Sequence, residues 1–143
     1  MNENEITHHY AGVLLITNSG KMIGQQRDDK VGIDNPGKVA TFGGTVEDGE
    51  TYRFAAWREL VEEETNLTTS ENEFTLFFED KSWRPLTAEW EERHFYTVFI
   101  DDGILETLEV HEGQGWIEIT GVDDPNLVDA WRNVIGAYLK LVN

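Results

Sequence analysis

The chain has no cysteine. Neither a disulfide framework nor a thiolate metal site is available to it, which agrees with a reducing compartment, and a cytoplasmic protein is expected. Basic residues are scarce too. Lys and Arg number 11 against 28 Asp and Glu, for a formal net charge of −17. A field of that sign repels a phosphate backbone, so duplex nucleic acid is not an expected partner. Long apolar runs are missing, and no stretch approaches the length that spans a bilayer, so no membrane role is expected. The opening MNENEITHHYAGVLLITNSG is too acidic, and its apolar run too short, for a signal peptide. Repeats, low-complexity tracts and Pro/Ser-rich linkers are lacking as well, which leaves one domain over residues 1–143 as the expectation.

What is present argues for a packed globule. Apolar residues make up 39% of the chain and include five Trp, seven Phe and four Tyr. AGVLLITNSGKMIGQQR reads as a hairpin turning at Asn18-Ser19-Gly20. DDKVGIDNPGK is a polar loop, and VATF a short strand that runs into Gly43-Gly44. EFTLFFED, RHFYTVFI and GWIEI are further strands, the first two separated by the Trp-rich connection KSWRPLTAEWEE. Residues 51–64 are predicted helical from the spacing of Phe54, Trp57, Leu60 and Val61. A second helix is predicted near the end, with Asp124 as N-cap, Pro125 in its first turn, and Leu127, Trp131, Val134, Tyr138 and Leu141 as its buried stripe. Strands interleaved with two main helices make an α/β fold with a mixed sheet.

One segment collects like charge at helical spacing: Glu59, Glu62, Glu63 and Glu64, with Glu50 ahead of them. At α-helical winding, Glu62 and Glu63 fall about 60° and about 40° to either side of Glu59, while Glu64 points about 140° away. Three carboxylates on one face repel one another unless a cation lies between them. Oxygen donors suit Mg²⁺ or Mn²⁺. Arg58 is placed to organise the carboxylates by bidentate contact. Gly43-Gly44, lacking side chains, lets the backbone approach the site or take positive φ.

The whole pattern resembles the Nudix box, G-x5-E-x7-R-E-U-x-E-E-x-G-U with U apolar. Gly44, Glu50 and Arg58-Glu59-Leu60-Val61-Glu62-Glu63 match it at its spacing. The tail departs: Thr65 stands where glycine is specified and Asn66 where the apolar residue is. A one-residue insertion after Glu63 restores the end, with Asn66 as a left-handed helix stop and Leu67 as the apolar residue. Sliding the acidic pair to Glu63-Glu64 is the alternative, and α-helical geometry favours Glu62 and Glu63.

The resemblance implies a Nudix-type α/β/α sandwich. It also implies divalent-metal-dependent hydrolysis of a nucleoside diphosphate linked to another moiety. Glu59, Glu62, Glu63 and Glu112, with the backbone at Gly43, are then the expected metal contacts, with Glu109 a neighbour able to replace Glu112. Glu63 or Glu112 lies nearest the attacking water, Arg58 completes the catalytic set, and Glu50 is structural or a secondary contact. His111 belongs to the pocket wall or the scaffold. Arg27 is expected to meet substrate phosphate, and Phe42, Trp83 and Trp90 to offer aromatic faces to a base. The expected partner is a small nucleotide, such as a canonical or oxidised (d)NTP, with ADP-ribose or a nucleotide sugar as the alternative class. The protein itself is expected to be a monomer or homodimer. Two competing readings are a catalytically silent nucleotide- or protein-binding module and a purely structural acidic domain.

Overall fold

The computed structural model describes residues 5–29, 32 and 36–143. Its central strand is β1 (Ile6–Thr17), and the burial of that strand changes half-way. From Ile6 to Tyr10, half-buried and exposed residues alternate; from Ala11 to Thr17, every residue is buried. Alternation marks a strand covered on one face only, and a continuous buried run marks one covered on both. The predicted turn at Asn18-Ser19-Gly20, with Gly20 at φ +91°, leads into β2 (Met22–Gln26), which pairs antiparallel with β1. Part of the predicted DDKVGIDNPGK loop, namely Lys30, Val31, Ile33, Asp34 and Asn35, lies outside the described residues.

The segment predicted as one strand from VATF is two. β3 (Val39–Ala40) pairs with β2, and β4 (Phe42–Thr45) pairs with β1. Thr41 is the corner between them. The Trp-rich connection is also strand: β5 (Thr75–Arg84) and β6 (Glu89–Ile100) form a hairpin in which Trp83 faces Trp90. Charged and aromatic residues mix there because one face of the strand pair is not packed away. β6 runs parallel to β1, and β7 (Gly115–Ile119) pairs antiparallel with β2, so the sheet is mixed.

Helix α1 (Tyr52–Trp57) starts at Thr51, whose Oγ1 accepts the Phe54 amide at 3.1 Å, and it continues through Arg58–Glu64 as a wider turn. Ala55, Ala56 and Leu60 from this helix pack with Val13, Leu15, Ile23 and Phe42 on one side of the sheet. Helix α2 (Arg132–Val142) covers the other side, where Ile135 and Tyr138 meet Leu14, Ile16 and Ile119. It begins later than predicted. Asp124 is a cap, but of a turn: its carboxylate accepts the amides of Thr120 and Asn126. The chain then lies beside β3, with Val39 donating to the Asn126 carbonyl and Val128 to the Val39 carbonyl. Backbone groups engaged in that pairing cannot open a helix. Two helical layers enclose the mixed sheet, the α/β/α sandwich that was expected.

Candidate active site

Arg58 organises the acidic segment, and its guanidinium spends all five donors on the task. Nε and one terminal nitrogen bind Glu50 at 2.6 and 2.8 Å, a bidentate pair. The other terminal nitrogen donates to Glu59 at 3.1 Å and to Glu63, and the fifth bond goes to the Thr45 carbonyl at 3.1 Å. Arg58 therefore ties the helix to the end of β4. The Arg58 contact holds the Glu50 carboxyl below its usual range. Glu50 is thus committed to the scaffold.

Residues 58–64 do not wind as an α-helix. They form a π turn, closed by the Thr65 amide donating to the Leu60 carbonyl five residues back at 3.0 Å, with Thr65 Oγ1 on the same oxygen at 2.6 Å. In such a turn, residues four and five apart return to one face, in place of three and four. The convergence of Glu62 with Glu59 rested on α-helical spacing, and the structure corrects it. Glu62 is exposed and makes no hydrogen bond or ion pair among the described residues. Glu64, which α-helical geometry points away, is 1% exposed and turned inward beside Glu59. The extra residue in the box is absorbed by the π winding, so Leu60 and Leu67 still reach one core. The helix also ends otherwise than expected: Thr65 leaves it in extended conformation, and Asn66, not left-handed, binds the Thr107 carbonyl and the Glu109 amide.

The double glycine faces this turn. A Cβ on Gly44 would lie 2.4 Å from the Glu59 carboxyl carbon, so only glycine lets Glu59 rest against the strand. Gly43, at φ +143°, donates its amide to Glu64 Oε1 at 2.9 Å. The Glu109–Glu112 loop is drawn in where His111 donates its amide to the Glu64 carbonyl at 2.7 Å. Glu112, though exposed, lies near enough for its charge to act on Glu59 and Glu64. Burial, and then the charge of Glu63, push the Glu59 carboxyl up to about 7 against the pull of Arg58. Burial, with Glu59 and Glu112 behind it, raises Glu64 as well.

The donor set fits a hard divalent cation in its chemistry. Glu64 is a buried carboxylate with a single amide donor, and its nearest charges are all negative. Burying such a group is costly without a counter-charge. Among the described residues, no three His, Asp or Glu side chains already surround a common point. Glu63 is engaged by Arg58 instead, and at 48% side-chain exposure it has room to turn.

A cavity of about 560 Å³ opens on the α2 side of the sheet, beyond the start of that helix, and Gly43 and Gly44 form part of its wall. Arg27 and Trp83 line it, as expected for substrate contacts. Phe42 does not. It is fully buried in the core on the α1 side, because its place on β4 opposite Val13 directs its ring there. Trp90 sits edge-on to Trp83, outside the lining. Trp131 packs against the α2-side core as expected and is also a wall of the cavity: its indole donates to Thr41 Oγ1 at 2.7 Å and stands edge-on to Tyr10. Behind it, Arg93 is buried between the Phe95 and Trp131 rings and paired with Asp80. His8, Tyr10 and Glu91 complete the floor. Strand alternation places His8 and Tyr10 on one face, but it does not say where a helix stops covering that face.

A mixed sheet between two helical layers, with a carboxylate-bearing helix against a glycine pair, defines the class. The NUDIX domain model matches residues 7–136, and the chain belongs to the Nudix family of hydrolases, which act on phosphorus-containing anhydrides. No curated protein matches the chain. Among solved structures it is similar to a MutT protein of Methanosarcina mazei Go1, with 15% identity, a TM-score of 0.74 and 95% of each chain covered. It is also similar to an Ap4A hydrolase of C. elegans, with 16% identity, a TM-score of 0.70, and 95% of this chain and 98% of that one covered. A third is a bifunctional NMN adenylyltransferase/ADP ribose pyrophosphatase of Francisella tularensis, solved with AMP and a Mn ion (18% identity, TM-score 0.68). The match covers 95% of this chain, which spans only 42% of that protein. Identities this low speak for the fold alone. No described helix is long and apolar enough to cross a membrane.

Proposed function

We propose that the protein hydrolyses a nucleoside diphosphate linked to another moiety, with Mg²⁺ or Mn²⁺ as cofactor. Canonical or oxidised (d)NTPs are the first substrate class, and ADP-ribose or a nucleotide sugar the second. One observation carries the reading: the carboxylate turn and the cavity meet at Gly43-Gly44, so a single bound molecule reaches both. Glu59, Glu63 and Glu64 would hold the cation, with Glu112 and the backbone at Gly43 as further contacts, and Glu64 takes the part first given to Glu62. Bound there, a divalent cation supplies positive charge to the diphosphate, which this acidic chain would otherwise repel.

The chain's own residues do the rest. Arg58 fixes Glu59 and the β4 end, so the carboxylates keep their places when the substrate arrives. Arg27 meets phosphate from the cavity side. Trp83 and Trp131 offer apolar faces to the attached moiety. Glu63 or Glu112, both at the solvent edge, takes the proton of the attacking water.

The test is product formation from a panel of canonical and oxidised (d)NTPs, ADP-ribose, nucleotide sugars and diadenosine polyphosphates with Mg²⁺, using wild type and Glu63→Gln. Turnover by the wild type, lost in the variant, is the expected result. Silence across the panel from folded protein would replace the hydrolase with a nucleotide-binding module.

A further inference from the structure

Among the described residues the cavity floor holds one carboxylate, Glu91, and it is 6% exposed. A carboxylate so far from water needs partners, and the structure supplies them to one of its two oxygens. His8 Nδ1 lies 2.7 Å from Oε2, and Arg84 Nε lies 3.8 Å from the same atom. Since Oε2 can only accept, the His8 proton sits on Nδ1, and its Nε2 is taken by the Thr45 hydroxyl at 2.9 Å. Glu91 Oε1 accepts no hydrogen bond among the described residues, and it is not sealed away from the cavity.

Gln25 turns its side chain to the other face of the sheet, where Nε2 donates to the Glu112 carbonyl at 2.8 Å, so the carboxylate of Glu91 is the acceptor here. The floor thus offers an open acceptor, while Trp83, Leu86 and Trp131 supply apolar walls. A planar ring with an exocyclic amino group satisfies both at once. Uracil and hypoxanthine keep a ring N–H but present a carbonyl oxygen where cytosine and adenine carry the amino group, and a carboxylate facing that position repels the oxygen.

Building on the hydrolase reading, we propose that this cavity selects nucleobases with an exocyclic amino group and that Glu91 reads it. The amino group donates to Glu91 Oε1, and His8 holds the carboxylate in place from the other side. Leaving a buried acceptor unpaired, or facing it with a carbonyl, weakens binding about tenfold or more.

The test is calorimetric binding of AMP against IMP and of CMP against UMP. AMP and CMP should bind at least about tenfold tighter than their partners. Glu91→Gln keeps the shape and adds a donor, so it should shrink both gaps below about threefold. Equal affinity within either pair in the wild type overturns the proposal without calling on any variant. So does a gap unchanged in folded Glu91→Gln, or no binding of any of the four. Turnover of ATP, ITP, CTP and UTP separates the two readings. Equal binding with turnover leaves the hydrolase and removes the selection, whereas selective binding without turnover leaves the selection and removes the hydrolase.

Discussion

The two faces of the sheet are covered unequally. On the α1 side, the helix and the residues after it close a core that runs from Ala11 and Val13 to Leu108, and the carboxylates stand at its edge. On the α2 side, the helix covers only the end of the sheet near Leu14 and Ile16, and the cavity occupies the rest. The first face teaches that a wider turn can hold carboxylates together when a sealed core stands behind it. The second teaches that a cavity can be what remains where a helix begins late. Gly43 and Gly44 belong to both, touching Glu64 and Glu59 on one side and the cavity on the other.

The largest effect should separate Glu64 from Glu62. Glu64→Gln should lower kcat by about a hundredfold or more, while Glu62→Gln changes it less than about twofold. Steady-state kinetics on the substrate found by the panel decides this, and equal losses would restore α-helical spacing as the better guide. Leu60→Ala should destabilise the folded chain by about 2–5 kcal/mol, since Leu60 is fully buried behind the π turn. Denaturant unfolding measures it, and a cost below about 1 kcal/mol would mean that the turn does not depend on that core.

A smaller effect follows from protons. Glu59 stands at about 7 in the folded chain against an ordinary 4.5, and Glu64 is raised in the same direction. Between those values the folded state binds more protons than the unfolded one. Stability from these groups is therefore full below about 4.5 and is lost as pH rises toward about 7. In EDTA the Tm should fall across that window, and millimolar Mg²⁺ should recover most at its upper end. A flat Tm in EDTA would show that the two carboxyls are not held up. The smallest expected effect is on the cavity side. Trp83 is 47% exposed, so Trp83→Ala should move stability by less than about 0.5 kcal/mol while raising KM about five- to tenfold. An unchanged KM would take Trp83 out of the site.

Much of this was legible in the residues. Apolar spacing gave helix α1 its place, turn residues gave the β1–β2 hairpin, and the run from Gly44 to Glu63 gave the family. Two expectations about geometry failed for one kind of reason. Glu62 was preferred to Glu64 because the acidic residues were laid on an ideal helix, whereas Thr65 closes a wider turn on Leu60. Phe42 was taken for a base contact, though its ring faces the α1 core. Trp131 packs against the α2-side core as its place in the buried stripe predicts, and the start of α2 at Arg132 also leaves it beside the cavity.

The sequence by itself determined the acidic charge, the carboxylate-rich box and the apolar periods, because composition and spacing are properties of the chain. Which carboxylates share a face, and which strand residues become a pocket floor, were decided only by the tertiary structure. One inserted residue in a helix can be taken up as a π turn or pushed into the following loop. The choice falls to whichever keeps Leu60 and Leu67 in one core.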